Sequence, residues 1–220
     1  MKFGKPQLKH VFNLWAVILL IWALYRGYFK TTLPEFVDEL IFKPFIFLGP
    51  VIWYVKRIEK RPFSSIGFAK GNLFRDIKIG LAIGLLFGVE GIIANAIKYG
   101  KFSFAPVIPV TGGALFGAIF LSITTAVIEE ALSRGFIFGR LLEYYKNDFK
   151  AISVGALMFL LLHVPIMFTS LKLTGITLVI FIVTDIIIAF ATSVFYSETR
   201  TLTVPVLLHA FWNMTVALYL

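Results

Sequence analysis

Apolar residues run along this chain in long blocks separated by short polar stretches, and each block is close to the length of a membrane-spanning helix. The pattern predicts seven spans, at 10–29, 36–55, 79–97, 112–139, 151–171, 175–196 and 203–220. The second is the most interrupted, by Asp38, Glu39, Lys43, Pro44 and Pro50. The longest polar stretch, 56–78, interleaves Lys56, Arg57, Lys60, Arg61, Lys70, Arg75 and Lys78 with Phe63, Ile66, Phe68 and Phe74. Mixed basic and aromatic sequence of that kind suits a loop lying on an anionic membrane surface. With no internal repeat, low-complexity tail or linker, the expected architecture is an all-α polytopic transmembrane bundle of about seven spans, folded as a single membrane-embedded domain over 1–220.

Composition supports the same class. The 220 residues are 59% hydrophobic, include 24 Phe and have a mean hydropathy of +0.88, well above what a soluble core of this length needs. A net charge of +9 would suit nucleic acid, but the Lys and Arg sit in short runs between apolar blocks, as in cytoplasmic loops. No cysteine is present, which excludes disulfide and thiolate chemistry. Lys2, Lys5 and Lys9 followed by the apolar run Val11 to Leu24 resemble a signal sequence. No small-x-small cleavage site follows, and Tyr25, Arg26, Tyr28, Phe29 and Lys30 read instead as the interfacial anchor of a retained first span.

Positive charge sets the expected orientation. With the N-terminus inside, the inner loops hold 14 Lys and Arg and the outer loops hold six: Arg26, Lys30, Lys43, Lys98, Lys101 and Lys172. If the second span does not cross, Lys2, Lys5 and Lys9 exchange sides with Arg26, Lys30 and Lys43 and the split is unchanged. Either way the protein is expected in the cell membrane as a multi-pass protein.

Against this apolar background, polar residues in three later spans stand out. The fourth carries Glu129, Glu130 and Arg134, the fifth His163, and the last His209 and Asn213. Ionisable groups inside a bilayer cost roughly 2.5–3.5 kcal/mol each even on the lenient insertion scale, so such groups mark function. At 1.5 Å per residue, Glu129, His163 and His209 lie roughly 15, 18 and 9 Å from the inner ends of their spans, a shared depth toward the cytoplasmic side. Glu130 and Arg134, four apart, stack on one helix face as an ion pair. Glu129 is turned about 100° away and can face a cavity unpaired, as a general base would. A helix-packing salt bridge accounts for Glu130 and Arg134 but leaves Glu129 unexplained. His209 and Asn213, also four apart, can aim a ring N–H and an amide together at a developing oxyanion, or can join helices. Pro165 removes the hydrogen bond to the Leu161 carbonyl and so frees an acceptor one turn before it.

Glu-Glu-x-x-x-Arg at 129–134, Phe-x-x-x-His at 159–163 and His-x-x-x-Asn at 209–213 resemble, in this order, the three motifs of the CAAX-protease and bacteriocin-processing (Abi) family of intramembrane endopeptidases. Arg134-Gly135, Thr201-Leu202, Pro205 and Leu208-His209-Ala210 agree with the family's flanks, and Ser133 stands where a large apolar residue is common. That departure is expected to touch packing more than chemistry. The resemblance makes 112–220 the motif-bearing catalytic core and 1–111 divergent N-terminal spans. It implies that Glu129 and His163 activate the attacking water, that His209 and Asn213 form the oxyanion site, and that Glu130 holds Arg134. Two histidines with a glutamate can bind zinc, but His-Glu-x-x-His is absent, so no cofactor is expected and a glutamate-type protease is favoured over a metallo-type. The partner implied is a membrane-associated peptide or protein, in some family members prenylated.

Two other classes share part of the pattern. A non-catalytic immunity or scaffold protein would bind a peptide without cleaving it, and would tolerate loss of Glu129 or His163. An ion-coupled transporter would also place Glu129, Glu130 and Asp185 in the membrane, but inverted repeats and paired broken helices are missing. Asp185 has no role in the protease reading beyond an interhelical hydrogen bond. The Gly80, Gly84, Gly88 series and the Gly113, Gly117 pair allow close packing of the third and fourth spans, a matter of architecture since small-residue spacing supports any bundle.

Overall fold

Each apolar block folds as a helix, since a backbone surrounded by apolar side chains can satisfy its N–H and C=O groups only within itself. The structure, a computed structural model, describes residues 6–29, 34–69, 71–100 and 112–219, and every regular element among them is helical. Lys2, Lys5, Lys30, Lys70 and Lys101 of the charge count, and the end of the last predicted span at Leu220, lie outside the described residues.

The helices are α1 (Leu8–Phe29), α2 (35–58), α3 (Leu73–Tyr99), α4 (Gly112–Tyr145), α5 (Asp148–Thr169), α6 (Gly175–Thr199) and α7 (Thr203–Tyr219). Four of them, α1, α4, α5 and α6, are long and apolar enough to cross a membrane. The other three predicted spans are helical without reaching that standard, so seven crossings are not established. In α2, Pro44 and Pro50 lie inside the helix, Asp38–Phe42 winds as π-helix, and the Lys43 N–H bonds back to the Asp38 carbonyl. Proline has no N–H to give the carbonyl four residues earlier, and a wider turn accommodates that loss. Helix α3 dilutes its apolar run with glycines, Lys78 and Glu90, and α7 has only 17 described residues. The fourth span also continues past the expected end near 139, through a π-helical stretch at Ala131–Phe138, to Tyr145.

Helix α7 is the centre of the bundle, packing against α3, α4 and α6, while α5 pairs with α6 and α1 pairs with α2. The close packing allowed by the glycines is found on α3 and directed at α7: a Cβ at Gly80 would meet Leu207, one at Gly84 the Phe211 ring and one at Gly91 Thr215. Gly88, Gly113 and Gly117 face open space. The polar stretch after α2 is likewise more than a surface loop. Arg140 of α4 grips Glu59 through Nε at 3.0 Å and Nη2 at 2.6 Å, and donates to the Ser65 carbonyl at 2.7 Å. Arg61 pairs with Glu143 at 2.8 Å, and Ile66 is buried. The Ile66 carbonyl presses on α4 at Gly135, where any Cβ would collide with it. Phe63, Phe68, Leu73 and Phe74 stay exposed, as a membrane-surface segment requires. The expected interfacial anchor also divides: Tyr28 and Phe29 are exposed, whereas Tyr25 is buried on Asp38 and Arg26 on Ser170.

Candidate active site

Where α2, α4, α5, α6 and α7 converge, the apolar interior contains one cluster of charged and polar side chains. Helix α4 contributes Glu129 and Glu130, on adjacent faces because neighbouring helical residues differ by about 100°. Glu130 Oε1 takes both Arg134 Nη1 at 3.1 Å and His209 Nδ1 at 2.7 Å. The predicted Glu130–Arg134 pair is therefore formed, and the same oxygen orients a histidine of the last helix.

Glu129 turns the other way. Its Oε2 faces His163 Nε2 at 3.4 Å and His209 Nε2 at 3.3 Å, so three separate motifs meet at one carboxylate oxygen. The expectation that Glu129 is unpaired is corrected, because its Oε1 lies 2.7 Å from the Lys43 ammonium. Lys43 in turn lies 2.5 Å from Glu39, and Thr125 Oγ1 donates to Glu39 at 2.9 Å. Lys43 is only 3% exposed and Arg26 5%, so neither stands in an exposed loop. Sequence reasoning treated Glu39 and Lys43 as defects in a weak span. The available signal was their four-residue spacing, which puts an acid and a base on one face of α2.

Phe159, which opens the second motif, packs its ring 4.5 Å from that of His163 and 5.7 Å from that of His209, with the Arg134 guanidinium 4.0 Å above it. One aromatic side chain thereby sets the spacing of both rings and receives the cation on its face. His163 Nδ1 lies 3.2 Å from the Phe159 carbonyl and 3.5 Å from Asp185 Oδ1. Asp185 thus joins the cluster behind His163. Asn213 donates its amide to the Ser122 carbonyl at 3.4 Å, about two turns before Glu129 on α4. His209 and Asn213 share a face of α7, but their polar atoms have different partners.

Glu129, His163 and Asn213 line a cavity of about 530 Å³, whose remaining wall is largely apolar and includes Trp22, Phe47, Phe181 and Trp212. His209 is fully buried behind it. Ser133 lines the same cavity, with its hydroxyl unpaired among the described residues, so the departure from the family pattern reaches the site and not only the packing. Glu129 Oε2, Glu130 Oε2, His209 Nε2 and both Asp185 oxygens are buried and likewise make no hydrogen bond among the described residues. Each such atom costs about 1–3 kcal/mol. Ion pairs placed only to hold helices together would satisfy their own donors and acceptors.

No group of three or more ligating side chains suited to an ion occurs among the described residues. The Lys43 ammonium already supplies positive charge to Glu129.

Comparison with curated proteins finds no match to the chain, and comparison with solved structures finds none. Residues 111–215, which hold all three motifs and make up a little under half of the chain, match the Rce1-like family, described as type II CAAX prenyl endopeptidase Rce1-like, in keeping with the resemblance carried by those motifs.

Proposed function

We propose that the protein is a multi-pass intramembrane endopeptidase in which Glu129 and His163 activate a water molecule for attack on a peptide carbonyl. The observation that carries this reading is the meeting of Glu129 Oε2 with two histidine Nε2 atoms at the wall of an apolar cavity. Water bound between Glu129 and His163 loses a proton to the carboxylate as its oxygen adds to the carbonyl carbon. The oxyanion so formed is met by His209 and by Asn213, which uses one amide hydrogen on Ser122 and keeps the other. Glu130 accepts from His209 Nδ1–H and leaves Nε2 turned toward the reacting groups. Collapse of the tetrahedral intermediate breaks the C–N bond, and the proton held by Glu129 passes to the leaving amine. Each donor in such a site is worth roughly 3–4 kcal/mol in the transition state.

Substrates on this reading are membrane-associated peptides or proteins, and the apolar wall suits an isoprenoid or apolar side chains. The three helices short of the spanning standard complete the bundle, all seven crossing the cell membrane as one domain. The site opens toward the cytoplasmic side, where the basic stretches 56–78 and 140–150 lie. The reaction is of the glutamate type, without a metal. Mass spectrometry of membrane proteins and peptides from cells carrying the native chain or Glu129→Gln at matched expression tests the proposal. A product that disappears with Glu129→Gln names the substrate. Identical profiles would favour a silent immunity or scaffold protein.

A further inference from the structure

The three motifs lie within 111–215, yet the nearest charged partner of Glu129 is supplied by α2, outside that stretch. Two four-residue pairs face one another across the α2–α4 contact. Thr125 Oγ1 holds Glu39 at 2.9 Å, and one turn along, Lys43 holds Glu129 Oε1 at 2.7 Å. Lys43 also reaches Glu39 at 2.5 Å and lines the same cavity as Glu129 and His163. Fixing Oε1 leaves the carboxylate one free rotation fewer, and Oε2 is the oxygen that meets both histidines at 3.3 and 3.4 Å. A long lysine buried at 3% exposure loses most of its rotamer freedom, which a bundle needing only apolar contact at this place would not require.

We infer that Lys43 is a positioning residue of the reaction centre: it grips Glu129 by Oε1 and thereby turns Oε2 toward His163 and His209. The inference rests on the proteolytic reading for its effect on rate, but not for the grip itself. The competing account is that Lys43 only neutralises Glu39.

Wild type, Lys43→Met, Lys43→Arg and Glu39→Gln/Lys43→Met, purified in detergent, separate the two accounts. The double variant carries no uncompensated Glu39 but leaves Glu129 without its ammonium, so a lowered unfolding temperature is expected and kcat is compared at a temperature where the variant is folded. Its kcat is expected to fall about 100-fold with KM little changed, the size of effect that misplacing a reacting group produces. Lys43→Arg, which keeps the charge, is expected to retain more kcat than Lys43→Met. Wild-type kcat in the double variant would overturn the inference, since neutralising Glu39 would then be all that Lys43 does.

A thermal-unfolding cycle of Lys43→Met, Glu129→Gln and the pair of them reads the grip without any substrate. Coupling between the two positions is expected, and strict additivity would overturn the inference. If native chain and Glu129→Gln give the same product profiles while the cycle is coupled, the proteolytic reading has failed and the grip stands.

Discussion

At the scale of single residues, Glu129 and Glu130 have different neighbours and should respond differently to substitution. Glu129→Gln keeps the shape of the side chain and leaves Lys43 its second partner, Glu39, so hydrolysis is expected to vanish while the unfolding temperature in detergent changes little. Activity equal to wild type would remove Glu129 as the base. Arg134→Ala deletes the guanidinium that sits over Phe159 and pairs with Glu130. Because it breaks a buried pair from one side, it is expected to destabilise the protein by about 3–5 kcal/mol, read as a lowered unfolding temperature. The retained His209–Glu130 contact is expected to keep the loss from exceeding that range. Chelators such as EDTA or phenanthroline are expected to leave hydrolysis intact, and reversible loss of activity restored by zinc would overturn the metal-free mechanism. The residues at 129–134, 163, 209 and 213 were legible because each breaks an apolar run at helical spacing. Lys43 was not, because its run already contained two prolines and two acids and read as a poor span rather than as a site.

At the scale of helices, the glycines of α3 carry the sharpest test. Gly84→Ala would drive a Cβ into the Phe211 ring of α7, an overpacking that costs about 1–3 kcal/mol. Gly117→Ala in the second turn of α4 meets open space, and replacing a helical glycine there is expected to be neutral or to stabilise by about 0.5–1 kcal/mol. Unfolding temperatures of the two variants moving in the same direction would contradict the α3–α7 pairing. Periodicity located the helices well but could not name this pair, since a small-residue face announces that something packs closely but not which helix does. The π-helical stretch of α4 was similarly invisible. It begins inside the charged motif, contains Arg134 and ends at Phe138, just before Arg140, and no composition rule distinguishes it from ordinary helix.

At the scale of the whole molecule, Arg140 ties the segment after α2 to α4 through Glu59 and Ser65. Arg140→Met is expected to release that segment and to speed trypsin cleavage at Lys56 to Lys60, with no change in cleavage near Lys146. Unaltered kinetics at both places would mean that the Arg61–Glu143 pair and the Ile66–Gly135 contact suffice to hold the segment. The all-helical class followed from composition, and the convergence of three motifs followed from their common depth. The count of crossings did not, because α2, α3 and α7 are too polar or too short for hydropathy to decide.

The order of the cluster's members along the chain has a consequence for synthesis. Glu39 and Lys43 leave the ribosome before Glu129, and His163, Asp185 and His209 leave after it. As α4 folds into the bundle, Glu130 has Arg134 one turn away on the same helix, and Glu129 meets a lysine already synthesised. The cost of placing these charges is therefore offset before any of the histidines exists. The second histidine arrives with the final helix, so a nascent chain can be stably inserted while it still lacks a complete reaction centre.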